Sequence, residues 1–468
     1  MGSSFFGLEI MRSSLQAQRI GLDITAHNIA NANTPGYSRQ VVNFRASTPY
    51  PAPGLNTGSL GQLGSGVEVN EVQRMRSKFV EAQIQKETQT LGYWENKSRN
   101  IWQIELLFNE PSDTGLSNSF NRYWESWQRL AGEAEDLGHR APVAQSAAEL
   151  ASSFNQTRKQ LTDLKSDIDQ MIAVEAQEIN RLAEELARVN KQIARVNSTG
   201  QTPNDLLDRQ DQVVQELAKL TNVTVLEGRQ KTVTVQISGN TLVDFDLVNN
   251  IEIIEPKSNA EMTQLIWSKG KAPVNITNGS ISALFETRDS VLTSVIHDLD
   301  ALAQAIITET NELHRKGYGL NSSTGLSFFE GNDASNIKVL DTILADPSNI
   351  AAAKLPNSPG NGDNALDIAN VFTLPVLNGN TTTLNGFFDG LISRIGVMGQ
   401  EALRNVDNQS ALVQHLNIEQ NQYSAVSIDE EMANMIRYQH AYSAAARMIS
   451  TLDEALDTII SRMGVVGR

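Results

Sequence analysis

Six histidines, His27, His139, His297, His314, His415 and His440, are the side chains best able to hold a metal or move a proton. None stands in a ligand spacing such as HExxH, so no metal site is expected and they read as surface or bundle residues. The chain has no cysteine, which removes disulfides, thiolate ligands and thiol nucleophiles. The run Gly58-Ser59-Leu60-Gly61-Gln62-Leu63-Gly64-Ser65-Gly66 lacks the lysine and the preceding strand of a phosphate cradle, and reads as a flexible loop. No GxSxG elbow is present, and carboxylate pairs such as Glu184-Glu185 fall on a solvated helical face. The expectation is a protein that is not an enzyme, with no catalytic residues and no cofactor.

One string is more informative: Asn28-Ile29-Ala30-Asn31-Ala32-Asn33-Thr34-Pro35-Gly36-Tyr37-Ser38-Arg39-Gln40. Its asparagines compete with the helical backbone, Pro35 drives Thr34 out of the helical region, and Pro35-Gly36 favours a tight turn. Whatever this string does, it does at the end of a helix.

The helices that would position it are marked by three stretches without proline, 1–34, 143–202 and 376–468. In the first, Leu8, Met11, Leu15, Gln18, Leu22, Thr25 and Ile29 alternate spacings of three and four, the pattern of a coiled-coil seam. In the last, Met435, Tyr438, Tyr442, Ala445, Ile449, Leu452, Leu456, Ile459 and Met463 do the same, in a helix expected to start at Ser427 or Asp429. Helical spacing from Leu161 to Val196 predicts one long bundle helix, with neighbours at about 73–107, 117–131, 204–219, 280–316 and 384–421. Asn204-Asp205 is expected to cap the helix after Pro203. Between 222 and 276 the period changes to two, with Ser238-Gly239-Asn240 as a turn, and 320–383 is rich in Asn, Gly, Ser, Thr and Pro.

These signals predict a mainly α fold: a terminal coiled-coil helix pair plus a long-helix bundle, with a small inserted β-rich element and an irregular outer insert. The expected layout is an N-terminal axial helix and turn over 1–45, paired with a C-terminal axial helix over 423–468. Bundle segments occupy 46–220, 279–320 and 384–422, the β-rich element 221–278 and the irregular surface insert 321–383. A terminal helix of a few heptads is marginal alone, so each end needs the other or a neighbour.

With 468 residues, 40% hydrophobic and 20% charged, the chain is long enough for several structural units. Its formal charge of -16 repels phosphate, which argues against nucleic acid. No run approaches the roughly 18 apolar residues of a membrane span, and the first residues lack the basic region and cleavage site of a secretory signal.

The Asn28 to Gln40 string resembles the signature shared by bacterial flagellar rod, hook and hook-associated axial proteins, and its Tyr37-Ser38-Arg39-Gln40 ending looks like the first hook-associated family. Similar matches, in family order, occur at Thr202 to Asp211, Asn278 to Asp289, Asn311 to Phe329, Gly362 to Leu366 and Asp429 to Tyr442. The family usually has a glycine before its last helix, which Tyr423-Ser424-Ala425-Val426-Ser427 lacks. The resemblance implies a structural part of the flagellum at the junction of hook and filament, or, as the alternative, another axial component such as a hook, rod or second hook-associated protein. It implies export from the cytoplasm without a cleaved signal, through the flagellar type III pathway, to an extracellular site. The implied partners are copies of itself in a helical axial assembly, a hook protein, a second hook-associated protein and a cytoplasmic export chaperone at the C-terminal helix. Neither nucleic acid nor membrane is implied. The residues expected to carry assembly are Leu8, Met11, Leu15, Leu22, Ile29, Asn31, Asn33, Thr34, Pro35, Gly36, Tyr37, Met435, Tyr438, Tyr442, Ile449, Leu452, Leu456, Ile459 and Met463.

Overall fold

The computed structural model describes residues 6–49, 64–113, 115–254, 262–377 and 379–462. Met463 and the 58–63 part of the glycine-rich run lie outside them. Helix α1 (Phe6–Ala30) is followed by strands β1 (Gln40–Ala46) and β2 (Val67–Arg74), which pair antiparallel. This hairpin corrects the expected 1–45 unit of helix and turn. Its apolar residues alternate only in part, and a register shift at Asn43/Phe44 interrupts the pattern.

The bundle comprises α2 (Lys78–Phe108), α3 (Leu116–Gly132), α4 (Leu137–Asn197), α5 (Asn204–Leu220), α6 (Ser280–Glu286) and α7 (Leu292–Lys316), with a π turn at Thr287–Val291 between the last two. At 1.5 Å per residue, the 61 residues of α4 span about 90 Å. It begins before Pro142, where the Asp136 carboxylate accepts from Gly138 N at 2.7 Å. The π turn puts Arg288 against Asp169 of α4 (2.6 Å), with both residues buried. The 280–316 stretch is apolar enough to pass for a membrane span, but Leu292, Val295, Leu299, Leu302 and Ile306 face the core.

Strands β3 (Val223–Glu227), β4 (Val233–Ile237), β5 (Asn240–Asp244) and β6 (Leu247–Val248) form an antiparallel meander, and β7 (Ile251–Ile254) pairs with β8 (Gln264–Trp267). The β4–β5 turn is Ser238-Gly239, both at positive φ (47° and 83°), as its tightness requires. The sheet sits on α4: Asn190 Nδ2 donates to Val233 O and Phe245 O, and its Oδ1 accepts from Val233 N.

The 321–383 segment holds short elements, β9 (Phe329–Glu330), β10 (Lys338–Val339), α8 (Asp341–Ala345) and α9 (Asp363–Asn370). It is not the surface insert that composition suggested. Phe328, Phe329, Ile337, Ile343, Ile368 and Phe372 are buried in the main core, with Phe328 5.3 Å from the Trp127 ring and Phe372 5.6 Å from Tyr123. Buried polar groups fasten it to the bundle. Asn311 Oδ1 accepts from Phe328 N and Phe329 N, and Arg140 Nε and Nη1 donate to the carbonyls of Ala134 and Ile350. His314 donates from Nδ1 to Leu326 O and accepts at Nε2 from Ala351 N.

Helix α10 (Leu384–Ser424) runs antiparallel to α2, with Leu416 against Val80 and Ile84 and Gly399 beside Ile101. Helix α11 (Ile428–Asp457) follows, capped by Ser427 and ending in a π turn at Thr458–Arg462. The link between them is extended, with Ala425 at φ −70°, so it needs no glycine. α11 returns along α1, and the two terminal helices pair antiparallel.

Candidate functional site

The Asn28 to Gln40 string lies where the terminal helix pair joins the bundle. Asn31 Nδ2 donates to His27 O at 3.0 Å beside its own backbone N–H (3.1 Å), and Thr34 Oγ1 donates to Asn31 Oδ1 at 3.2 Å, so the asparagine closes off the end of α1. Thr34-Pro35-Gly36-Tyr37 then forms a type II turn: Tyr37 N donates to Thr34 O (3.2 Å), and Gly36 sits at φ +79°. Glycine is required at 36 twice over, because a Cβ there would overlap the Gln212 side chain, whose Nε2 donates to Pro35 O at 2.7 Å. Asn33, Thr34 and Pro35 are exposed.

Asn28, 1% exposed, is the hub. Its Oδ1 accepts from Gln40 N (3.0 Å) and the Tyr37 hydroxyl (2.7 Å), and its Nδ2 donates to Gln40 O (2.8 Å) and Glu431 Oε2 (3.1 Å). One amide thereby closes the turn on itself and ties it to α11. Arg39 completes the tie: its guanidinium reaches Glu431 (2.8 Å) and Glu430 (3.0 Å), and its N–H donates to Ser424 O at the end of α10.

The other side of the turn faces α5. Asp208 accepts from Ser38 N (3.0 Å) and Ser38 Oγ (2.7 Å), and also from Arg74 at 2.9 Å. Gln40 Nε2 donates to Asp205 at 2.7 Å. Asn204 does not cap α5 as expected: its Nδ2 donates to Gln40 Oε1 (3.2 Å) and Val72 O (2.9 Å), and the helix starts without a side-chain cap. Cross-linking the turn to β2 has taken precedence over capping.

The site is buried and acidic, and its titrating groups show it. Burial raises the Asp208 carboxyl despite the hydrogen bonds from Ser38 and Arg74. Burial, then the charges of Asp205, Asp208 and Glu431, push the Tyr37 phenol far above its usual range. Burial and the neighbouring Asp211 push Glu81 up to about 7, against the pull of Arg76 and Arg74.

Along the terminal pair, Gly7 meets Leu452, Gly21 meets Tyr438, and Asn28 meets Glu431. Fourteen residues forward on α1 match fourteen back on α11, then seven match seven, so the register is kept in whole heptads. The buried residues of α1 are Ala17, Gly21, Thr25 and Asn28. The aliphatic positions Leu8, Met11, Leu15, Leu22 and Ile29 are only half-buried, as are Met435, Tyr438, Ile449, Leu452 and Leu456 on α11. Tyr442 and Ile459 are exposed. The helices approach through small residues because the Tyr438 ring, also in edge contact with Phe44, fills the space over Gly21.

Asn28, Ser38, Arg39 and Gln40 lie within the string that the sequence singles out, whereas their partners Glu431, Asp208 and Asp205 carry no local signal of that contact. Thr25 and Asn28 are the two polar residues on the buried face of α1, beside Ala17 and Gly21. Among the histidines, His27 Nδ1 lies 3.0 Å from the Tyr37 hydroxyl, and His314 is in the core. His139 stands at the surface near Glu133 and Asp136, close enough for one ion, but Asp136 already caps Gly138.

Comparison with known proteins matches the same segments. The model described as the flagellar hook-associated protein FlgK helical domain covers residues 101–329. That of the flagellar basal body rod FlgEFG protein C-terminal region covers 421–462, and that of the flagella basal body rod protein covers 8–37. The chain is 33% identical over 507 residues to flagellar hook-associated protein 1 of Bacillus subtilis, covering 100% of both. It is 25% identical over 550 residues to flagellar hook-associated protein 1 of Salmonella typhimurium, covering 96% of this chain and 98% of the relative. The structure of the flagellar hook junction protein FlgK from Burkholderia pseudomallei shares the fold, with a TM-score of 0.64 at 15% identity over 74% of this chain and 100% of that one. A full-length match at this identity, with the terminal pair and the bundle both included, means that the chain belongs to the flagellar hook-associated protein 1 family.

Proposed function

We propose that the protein is a structural joint of the bacterial flagellum, placed between hook and filament and needed for filament assembly, and that it is not an enzyme. The observation that carries this reading is the latch. Asn28, Ser38 and Arg39 lock the paired ends of the chain to the bundle through buried, charge-assisted hydrogen bonds, while the aliphatic faces of that pair stay half open. A lone molecule gains little from a rigidly held pair of helices with unfilled apolar faces, whereas a subunit in a tube fills them with its neighbours.

In this reading the helix pair lies at the axis, the bundle forms the next shell, and a hook protein and a second hook-associated protein are the axial neighbours. The chain leaves the cytoplasm through the flagellar export route without a cleaved signal, with a chaperone covering α11 beforehand. The alternative of a rod or hook component rests on the rod-protein matches, and these cover only the terminal segments. Deletion of the gene, with complementation, tests the proposal: cells lacking it should release flagellin into the medium and carry hooks without filaments. Attached filaments and no flagellin leak in the deletion strain would refute it.

A further inference from the structure

Beside the latch, α2, α5 and the β2–α2 link bring five charged side chains together where the terminal pair meets the bundle. They are Arg74, Arg76, Glu81, Asp208 and Asp211, and none is more than 17% exposed. Three carboxylates thus face two guanidiniums. Arg74 holds Asp208 at 2.9 Å and pairs with Asp211 as well. Arg76 is divided among Glu81 (3.3 Å), Asp211 (3.5 Å) and Asp208 (3.7 Å), all longer than the roughly 2.7–2.9 Å of a charge-assisted hydrogen bond. Its Nε is buried and has no hydrogen bond among the described residues. Glu81 has no cation closer than this 3.3 Å contact among the described residues, so it is the carboxylate left over.

The surroundings do not supply the missing positive charge. Helix α10 faces Glu81 with Asn417, Gln420, Asn421 and Ser424, and the turn faces it with Tyr37, whose phenol stays neutral. In the wider groove on the other side, Glu71 and Glu227 offset Lys78 and Lys231, and Lys78 already pairs with Glu227. An uncompensated buried charge is costly, and a carboxyl group avoids that cost by keeping its proton. The Glu81 and Asp211 side chains are close enough to hydrogen-bond, which two carboxyl groups can do only with a proton between them. We infer that Glu81 carries a proton shared with Asp211, and that its release in alkaline medium pushes α2 from α5 and slackens the latch. The effect travels through a continuous chain of contacts: Asp211 to Arg74, Arg74 to Asp208, and Asp208 to Ser38. Burial, then the Asp211 charge, raise the Glu81 carboxyl from 4.5 to about 7. Between those values the folded chain keeps a proton that the unfolded chain releases. This component of stability therefore falls as pH rises through the window and levels off above it.

The inference is independent of the flagellar reading and is tested on the full-length chain by comparing wild type with Glu81→Gln. The glutamine amide donates to Asp211 as the protonated carboxyl does, and cannot lose that hydrogen at high pH. The melting temperature of the variant should gain steadily on that of wild type as pH rises from about 5 to about 8, a comparison in which the other titrating groups cancel. At about pH 8.5 the Ser38 amide, bonded to Asp208, should exchange about tenfold more slowly in the variant. Wild type should also show a protonated-carboxyl stretch in the infrared that disappears near pH 7 and is missing from Glu81→Gln. That band is read on wild type alone, so the inference is tested even if the variant misfolds, and its absence from wild type would overturn it. A constant gap between the two melting profiles, or a band that persists in Glu81→Gln, would overturn it equally.

Discussion

Glu431 holds the Arg39 guanidinium and the Asn28 amide from a position only 2% exposed, so its replacement is not a surface change. Glu431→Gln keeps the shape but removes the charge, leaving Arg39 with Glu430 alone. A cost of about 2 kcal/mol is expected, below that of a fully buried pair because Arg39 is partly exposed. The loss should appear as faster hydrogen exchange in the first turns of α11, with the bundle unchanged, and equal exchange would show that the latch is not what holds the helix. His314 makes a prediction about pH. Burial first, and the Arg140 charge second, lower it from 6.5 to about 4. Between those values the unfolded chain takes up a proton and the folded one does not. Its contribution is therefore present above pH 6.5 and is lost as pH falls toward 4, by up to about 3 kcal/mol. His314→Gln should remove that component, so the stability gap between wild type and variant should narrow on acidification, and a constant gap from pH 7 to 4 would contradict the assignment.

At the scale of elements, the terminal pair depends on close approach at Gly21, where a Cβ would stand 3.2 Å from the Tyr438 ring, against 3.5 Å from Leu452 at Gly7. Gly21→Leu should force the helices apart at a cost of about 1–3 kcal/mol, whereas Gly7→Ala should be neutral or slightly stabilising. Thermal unfolding of the two variants separates these outcomes, and similar behaviour of both would mean that the pair does not pack as described. A terminal helix of a few heptads is marginal alone, which by itself would leave both ends open to proteases before assembly. The latch changes that expectation. Proteolysis of the monomer should trim the distal turns of α1 and α11 and stop near Asn28 and Glu431, where the backbone is tied to α5 and α10. Cleavage running through Arg39 would show that the tie does not hold in solution.

For the whole molecule, the long helices were legible because each buries one face over many turns, and periodicity records that directly; α4, α7 and α10 are examples. The β1–β2 hairpin was not legible: twenty residues separate its strands (46 to 67), and Val41, Val42 and Phe44 give too short an alternation. The 321–383 segment misled through composition, since its many polar residues frame a few anchors, Phe328, Phe329, Ile343 and Phe372, that enter the core. The latch was half legible. Its three strings stood out separately, but nothing in one sequence says that Arg39 meets Glu431 or that Ser38 meets Asp208. The central claim is that the terminal pair carries this chain into the flagellar axis, and Leu456→Asp tests it most directly. Leu456 is half-buried on α11, and if a neighbouring subunit covers it in the axis, as proposed, a carboxylate there has to be desolvated at a cost of several kcal/mol. Asp457→Asn, exposed and one residue on, is the control. The measurement is filament attachment in a deletion strain complemented with each variant, once secretion of each is confirmed. The account predicts that Asp457→Asn restores attached filaments and that Leu456→Asp is secreted but leaves hooks bare; attached filaments at wild-type frequency with Leu456→Asp would contradict it.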